Sequence, residues 1–124
     1  MPRSSILSAG LFVLVVASAP CQEISSHLQK AQQYLQQNRP DLAIPEFQAI
    51  LAIDPNNLDA RGNLGVLEYF QSQYAQAVPD LRSALNTNHS LWKLQALLGM
   101  SEKRIGENTK AQVDLEQAFP HLQE

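Results

Sequence analysis

The chain has 124 residues, 44% apolar and 17% charged, with a formal charge of −3. This length suits one domain, and this balance suits a packed globule rather than a disordered chain. With acidic residues in excess and only 6% aromatics, nothing favours nucleic acid, whose binding depends on neutralising phosphates.

In chain order the first element is a leader. Arg3 precedes an apolar run from Ile6 to Ala17, and Ala17, Ser18, Ala19, Pro20 and Cys21 follow as a small-residue zone. That is the layout of a secretory signal peptide, and the run is shorter than the about 20 residues of a membrane span. An uncleaved N-terminal anchor is the plainer alternative. Cutting after Ala19 fits the small-x-small rule but leaves Pro20 first, whereas cutting after Cys21 uses Ala19 and Cys21 as the small pair, leaves Gln22 first and is preferred. Residues 1–21 are then the leader and 22–124 the mature domain, periplasmic or secreted. Lipidation of Cys21 would attach the chain to a membrane. That signal wants Leu three residues ahead and a small residue just ahead, where Ser18 and Pro20 stand. Cys21 is the only cysteine, so the mature part offers no disulfide, thiol chemistry or cysteine-based metal site.

From Glu23 onward the apolar residues recur at helical spacing, and no stretch alternates long enough for a strand. The first helix runs from about Ile24 to Gln37, with Leu28, Ala31, Tyr34 and Leu35 as its apolar face and Asn38 as a left-handed stop. The second spans about Pro40 to Ile53, with Leu42, Ala43, Phe47, Ile50 and Leu51 inward. Asp54 to Asn57 is a turn that supplies Asn caps. The third helix spans Leu58 to about Gln71, with a turn at Ser72 and Gln73, and the fourth Tyr74 to Leu85. Asn86 to Ser90 links to a fifth helix, Trp92 to Ile105, with Ser90 as its N-cap and Gly106 as its stop. The sixth spans Thr109 to Phe119 and ends at Pro120. Pro45 and Pro79 fall about five residues into their helices. There a missing N–H costs less than the about 3 kcal/mol of a helix interior, and slight bends are expected.

The pattern repeats every 34 residues: Ala43, Ala77 and Ala111; Phe47, Leu81 and Leu115; Ala31, Gly65 and Gly99; Pro45 and Pro79. The unit, with small residues at its eighth and twentieth positions and a large apolar one at its twenty-fourth, resembles the tetratricopeptide repeat. Units begin at Ile24, Leu58 and Trp92, giving repeats of about 24–57, 58–91 and 92–124. The resemblance implies an all-α, right-handed superhelical solenoid of three helix–turn–helix repeats. Departures are His89 and Gln123 for the closing proline, Trp92 at a first rather than fourth position, and Glu68 and Glu102 where Tyr34 is the expected aromatic. No further helix covers Leu115 and Phe119. Dimerisation through that face, or a longer parent protein, is therefore expected, and the second is preferred.

The resemblance implies a concave groove lined by the first helix of each unit and used for peptides. Its residues would be Gln29, Gln32 and Gln36; Asp59, Asn63, Val66 and Phe70; and Lys93, Met100, Lys103 and Arg104. One subset of the family clamps a peptide's C-terminal carboxylate with five polar groove residues. Asn63 and Lys93 match, Gln32 replaces an asparagine, and Leu28 and Leu97 stand where basic side chains are needed. No clamp is expected, because a carboxylate needs convergent donors to offset desolvation. Lys93, Lys103, Arg104 and Lys110 form a basic cluster that Glu102 and Glu107 could balance. Glu68 and Glu102, one repeat apart, could suggest acid–base chemistry, but a shared repeat position explains them without it.

His27, His89 and His121 lack ligand spacing, and the five glycines form no phosphate loop. Asn88-His89-Ser90 is a chance-level glycosylation match, and Trp92 reads as packing at a repeat junction. The expected function is a non-catalytic scaffold, without metal or cofactor, holding a peptide or protein segment. The alternatives are a regulatory module of a longer enzyme or assembly factor and a self-associating structural protein.

Overall fold

The computed structural model describes residues 19–123. It contains α1 (Pro20–Gln36), α2 (Pro40–Ile53), α3 (Leu58–Phe70), α4 (Tyr74–Thr87), α5 (Trp92–Arg104), α6 (Asn108–Ala118) and a closing 3-10 turn (Phe119–His121). The apolar run of the expected leader lies outside the described residues. Among the described residues there is no strand, and no helix is long and apolar enough to cross a membrane. The helix α1 begins four residues ahead of Ile24, with Pro20 in its first turn, where a missing N–H costs nothing.

Each turn inside a helix pair uses the same device at the same repeat position. Asn38, Ser72 and Gly106 have φ of 55°, 60° and 89°. The next residue's N–H reaches back across the turn: Arg39 to Tyr34 O at 2.8 Å, Gln73 to Glu68 O at 2.8 Å, Glu107 to Glu102 O at 2.9 Å. This left-handed cap satisfies carbonyls that the helix end leaves open. Between pairs, Asn57 caps α3 by accepting from Ala60 N–H at 2.9 Å. Ser90 is not the cap of α5. Leu91 holds that place without a side-chain bond, while the Asn88 side chain takes the Ser90 N–H at 3.0 Å and keeps Ser90 outside the helix. Pro45 and Pro79 lie inside α2 and α4 on exposed faces, so the carbonyls they leave unbonded can meet water.

The helices pack in pairs, α1 with α2, α3 with α4 and α5 with α6, and each pair leans on the next through α2–α3 and α4–α5. One apolar cluster joins Ala31, Ala43, Phe47, Ile50 and Leu64, and a second joins Ala77, Val78, Leu81, Leu85 and Leu98. The small and large repeat positions meet face to face. A Cβ on Gly65 would lie 2.8 Å from Leu81 Cγ, and one on Gly99 2.8 Å from Leu115 Cγ.

Three residues expected in the core are outside it. Leu28, Leu35 and Leu42 are exposed, whereas Ile44 is buried. Among the described helices α1 touches only α2, so it buries one narrow stripe around Ala31. At the other end Leu115 is half-buried and Phe119 is 63% exposed. Gln112 stands where Ile44 and Val78 are buried in the earlier units, and it donates to Glu116 at 2.8 Å. That end face is therefore partly polar.

Candidate functional site

The direct approach of α3 to α5, with none between α4 and α6 among the described residues, curves the stack toward the first helix of each pair. The eleven groove residues expected from sequence lie on α1, α3 and α5. All are exposed except half-buried Val66. The structure groups them into separate places. Asp59, Asn63 and Val66 line a cleft of about 360 Å³ facing Leu91 and Leu94. Gln29, Gln32 and Gln36 stand apart on α1, which makes no helix contact with α3 among the described residues. Lys93 sits at the start of α5 in a cleft with Trp92, His121 and Leu122. Lys103 is at the other end of α5, beside Gln112 and Glu116 of α6. Ten residues of helix separate the two lysines, about 15 Å. The basic residues thus do not form one cluster.

The expected balancing acids are also occupied elsewhere. Lys110 Nζ is 3.0 Å from Glu107 Oε2, and Arg82 Nη2 is 2.7 Å from Glu102 Oε1 and 3.8 Å from Glu107. Lys93, Lys103 and Arg104 have no carboxylate partner among the described residues, unlike Arg39, Arg61, Arg82 and Lys110. The Asn63 amide donates to its own helix, to Asp59 O at 2.8 Å. Leu28 is exposed on α1.

Phe70, Met100 and Arg104 are joined through two residues that the sequence did not single out. Tyr69 packs edge-on to Phe70 and Tyr74, with centroids 5.3 and 5.6 Å apart. Its hydroxyl lies 3.6 Å from Met100 Sδ, and the Arg104 guanidinium lies 5.5 Å over the Tyr74 ring. Phe70 remains 68% exposed. The only available signal was that Tyr69 and Tyr74 flank Phe70 closely in sequence, one on α3 and one across the turn.

The two glutamates are internal. Glu68 and Glu102 are 3% and 1% exposed. A polar ladder surrounds them, built on the fourth and twenty-third positions of each unit. His27 meets Glu46, Arg61 Nη1 meets Asp80 at 2.7 Å, and Gln95 Nε2 meets Asp114 at 3.3 Å, each pair 19 residues apart. The Glu68 carboxyl is buried beside Asp80. Burial first, then the Asp80 charge, pushes Glu68 up to about 8. Glu102 is likewise raised by burial and by Asp114, with Arg82 opposing. Neither Glu68 Oε2 nor Glu102 Oε2 finds a donor among the described residues. Both carboxyls are buried, Glu68 inside the stack and Glu102 at the base of a shallow cleft that Arg82, Lys110 and Asp114 also line.

The same ladder explains a cleft of about 480 Å³ among α4, α5 and α6, lined by Arg82, His89, Trp92, Gln95, Asp114 and His121. At the preceding junction Arg61 fills the equivalent space, reaching Asp80 and Pro55 O. Gln95 is shorter and His89 replaces Pro55. Trp92 does pack at this junction, stacked on His121 with centroids 3.8 Å apart.

A family model described as the tetratricopeptide repeat matches residues 34–98. No curated protein sequence matches the chain. Among solved structures it is similar to MamA, at TM-score 0.73 and 19% identity, over 81% of this chain and 55% of that one. It is similar to the first tetratricopeptide domain of Spaghetti (RPAP3) bound to an HSP90 peptide, SRMEEVD, at TM-score 0.68 and 22% identity, covering 80% and 79% of the two chains. The second such domain of human RPAP3, in complex with an HSP70 peptide, aligns at TM-score 0.69 and 20% identity, covering 81% and 83%. The match to half the chain and the paired-helix geometry give the same answer: the chain belongs to the tetratricopeptide repeat family.

Proposed function

We infer that this chain is an exported, non-catalytic scaffold that holds a peptide or protein segment against the inner face of α3 and α5. The observation that carries the reading is that exposed Phe70 and Met100 are joined through half-buried Tyr69, with exposed Arg104 over the Tyr74 ring beside them. Exposed apolar patches on a folded domain mark interaction surfaces. Peptide complexes of the two RPAP3 domains support the reading at the level of fold. Binding by a preformed surface avoids much of the ordering cost of association.

The leader layout of residues 1–21 supports export, with Gln22 as the first mature residue. N-terminal sequencing of the protein recovered from outside the cytoplasm checks that point, and an intact Met1 there would overturn it. For the groove, hydrogen exchange on a complex with a captured partner is the direct test. Protection should fall on α3 and α5, and Val66→Glu should weaken capture at least tenfold. Protection confined to α2, α4 and α6 would sink the reading.

A further inference from the structure

We propose that the patch formed by Phe70, Tyr69, Tyr74, Met100 and Arg104 is a docking site for an internal acidic segment carrying one bulky apolar anchor. The proposal rests on the groove reading above and adds the chemistry of the occupant. Two independent features of the patch point to it, one apolar and one electrostatic.

The apolar feature is a built surface rather than a single exposed ring. Tyr69 is held on three sides: by Phe70 and Tyr74, both edge-on, and by the Met100 sulfur 3.6 Å from its hydroxyl. These contacts span α3, the start of α4 and α5, so the patch bridges two repeat units. Phe70 and Met100 stay exposed beside it. A flat aromatic surface next to a flexible thioether accepts a large apolar side chain such as Phe, Leu or Met.

The electrostatic feature is Arg104 and its neighbour Lys103. The chain is acidic overall, and its carboxylates pair with Arg39, Arg61, Arg82 and Lys110. Lys103 and Arg104 have no such partner among the described residues. Placement at the C-terminus of α5 is favourable for any cation, but it leaves the side-chain donors unused. The Tyr74 ring 5.5 Å beneath the guanidinium positions Arg104 without consuming its N–H groups. A guanidinium fixed on a ring with free donors matches a carboxylate, which it can take in two parallel hydrogen bonds. Lys103 lies one residue away on the α6 side of the same helix end, outside the patch, and its charge adds to the local positive field, which favours an occupant with more than one acid.

The carboxylates in question are side chains of an internal segment. A chain-terminal carboxylate would need the five-residue clamp, of which Leu28 and Leu97 remove two donors and the Asn63–Asp59 bond engages a third.

The test is selection from a phage-displayed random dodecapeptide library, in which the peptides have no free C-terminus, against the immobilised full chain. Enriched sequences should carry two or more Asp or Glu within about four residues of a Phe, Leu or Met. As fluorescein-labelled synthetic peptides they should lose at least tenfold in affinity with Arg104→Gln and with Phe70→Ser, and several-fold between 50 and 500 mM NaCl. Lys30→Gln, an equal-sized charge change at an exposed residue on α1, should change affinity less than twofold. Thermal melts of each variant separate lost binding from lost fold, since Phe70 and Arg104 are exposed. Enriched peptides that lack acidic bias, yet are lost with Val66→Glu, overturn this proposal and leave the groove reading standing. No enrichment, or binding that survives every inner-face substitution, overturns both.

Discussion

Glu68 should make this protein less stable as pH rises, and Glu68→Gln should remove most of that dependence. The carboxyl is 3% exposed, and burial with the Asp80 charge raises it from 4.5 to about 8. In the unfolded chain it returns to its ordinary value. Below about 4.5 both states are protonated, and the folded state keeps its full stability. Between about 4.5 and 8 the unfolded chain releases a proton that the folded one retains, so stability falls with pH and levels off above about 8. At 1.36 kcal/mol per pH unit the ceiling is about 5 kcal/mol. Hydration of the ionised pair reduces it, and about 2–4 kcal/mol is expected between pH 5 and pH 9. Glu102 acts in the same direction, with Arg82 restraining it. A glutamine at 68 is neutral at every pH and can still donate to Asp80. Urea denaturation at pH 5, 7 and 9 reads the effect. The wild type should lose stability steadily while the variant keeps only the smaller dependence that Glu102 supplies. Parallel losses in both proteins would refute the reasoning.

Three further outcomes follow from the packing. Gln48 stands one repeat before Arg82, and Gln95 one repeat after Arg61, so arginine and glutamine exchange places around the two carboxyl pairs. Arg61→Gln should therefore cost about 1–3 kcal/mol, and Gln48→Arg in the same chain should recover most of it, as measured by urea midpoints. Gly62→Ala should stabilise by up to about 1 kcal/mol, because the new Cβ meets Leu94 Cδ1 at an ordinary 3.5 Å. Gly65→Ala should destabilise by about 1–2 kcal/mol, because its Cβ would press on Leu81 Cγ at 2.8 Å and on Leu81 N at 3.1 Å; a shared sign for the two would count against the packing argument. Ser72→Gly should raise the melting temperature, since Ser72 holds a left-handed φ of 60° at a cost of about 1 kcal/mol that glycine avoids.

The repeat period made the interior legible because it reports which residues must fit. Ala31, Gly65 and Gly99 against Phe47, Leu81 and Leu115 could be read from spacing alone, and the left-handed stops at Asn38 and Gly106 from residue type. The outward faces obey no such constraint. Leu28 and Leu35 have helical spacing and apolar character, but α1 has a neighbour on one side only among the described helices, so they lie on the surface. The grouping of groove residues was hidden for a related reason. Lys93 and Lys103 lie on one helix, yet its length and turn separate them into different clefts, and Arg104 meets Tyr74 only because the turn at Ser72 brings α4 back beside the end of α5. Pairing of charges was equally invisible. Glu102 looked like a neighbour of Lys103 in sequence, while its carboxyl turns inward to an arginine 20 residues earlier.

The exchanged arginines also make the two junctions unequal. Arg61 serves the carboxyl pair of its own unit and ties α3 to α4. Arg82 serves the pair of the following unit and ties α4 to α5, reaching Glu107 in the turn beyond. At the first junction Gln48 cannot replace that ion pair, and contact rests on apolar packing of Phe47, Ile50 and Leu64. In a solenoid, stability is a sum of unit and junction contributions, so unequal junctions open separately. Ionising Glu68 leaves its carboxylate beside Asp80 with one guanidinium between two charges and no second cation from α2. Alkaline pH should therefore loosen α1 and α2 from the rest before it affects α5 and α6. Native-state hydrogen exchange at pH 6 and pH 9, corrected for intrinsic rates, measures this directly. Protection in α2 should fall at least tenfold relative to α5, and Gln48→Arg should abolish the difference. Equal loss of protection at both ends would show that the stack opens as one unit and that the Arg82 tie does not distinguish its junction.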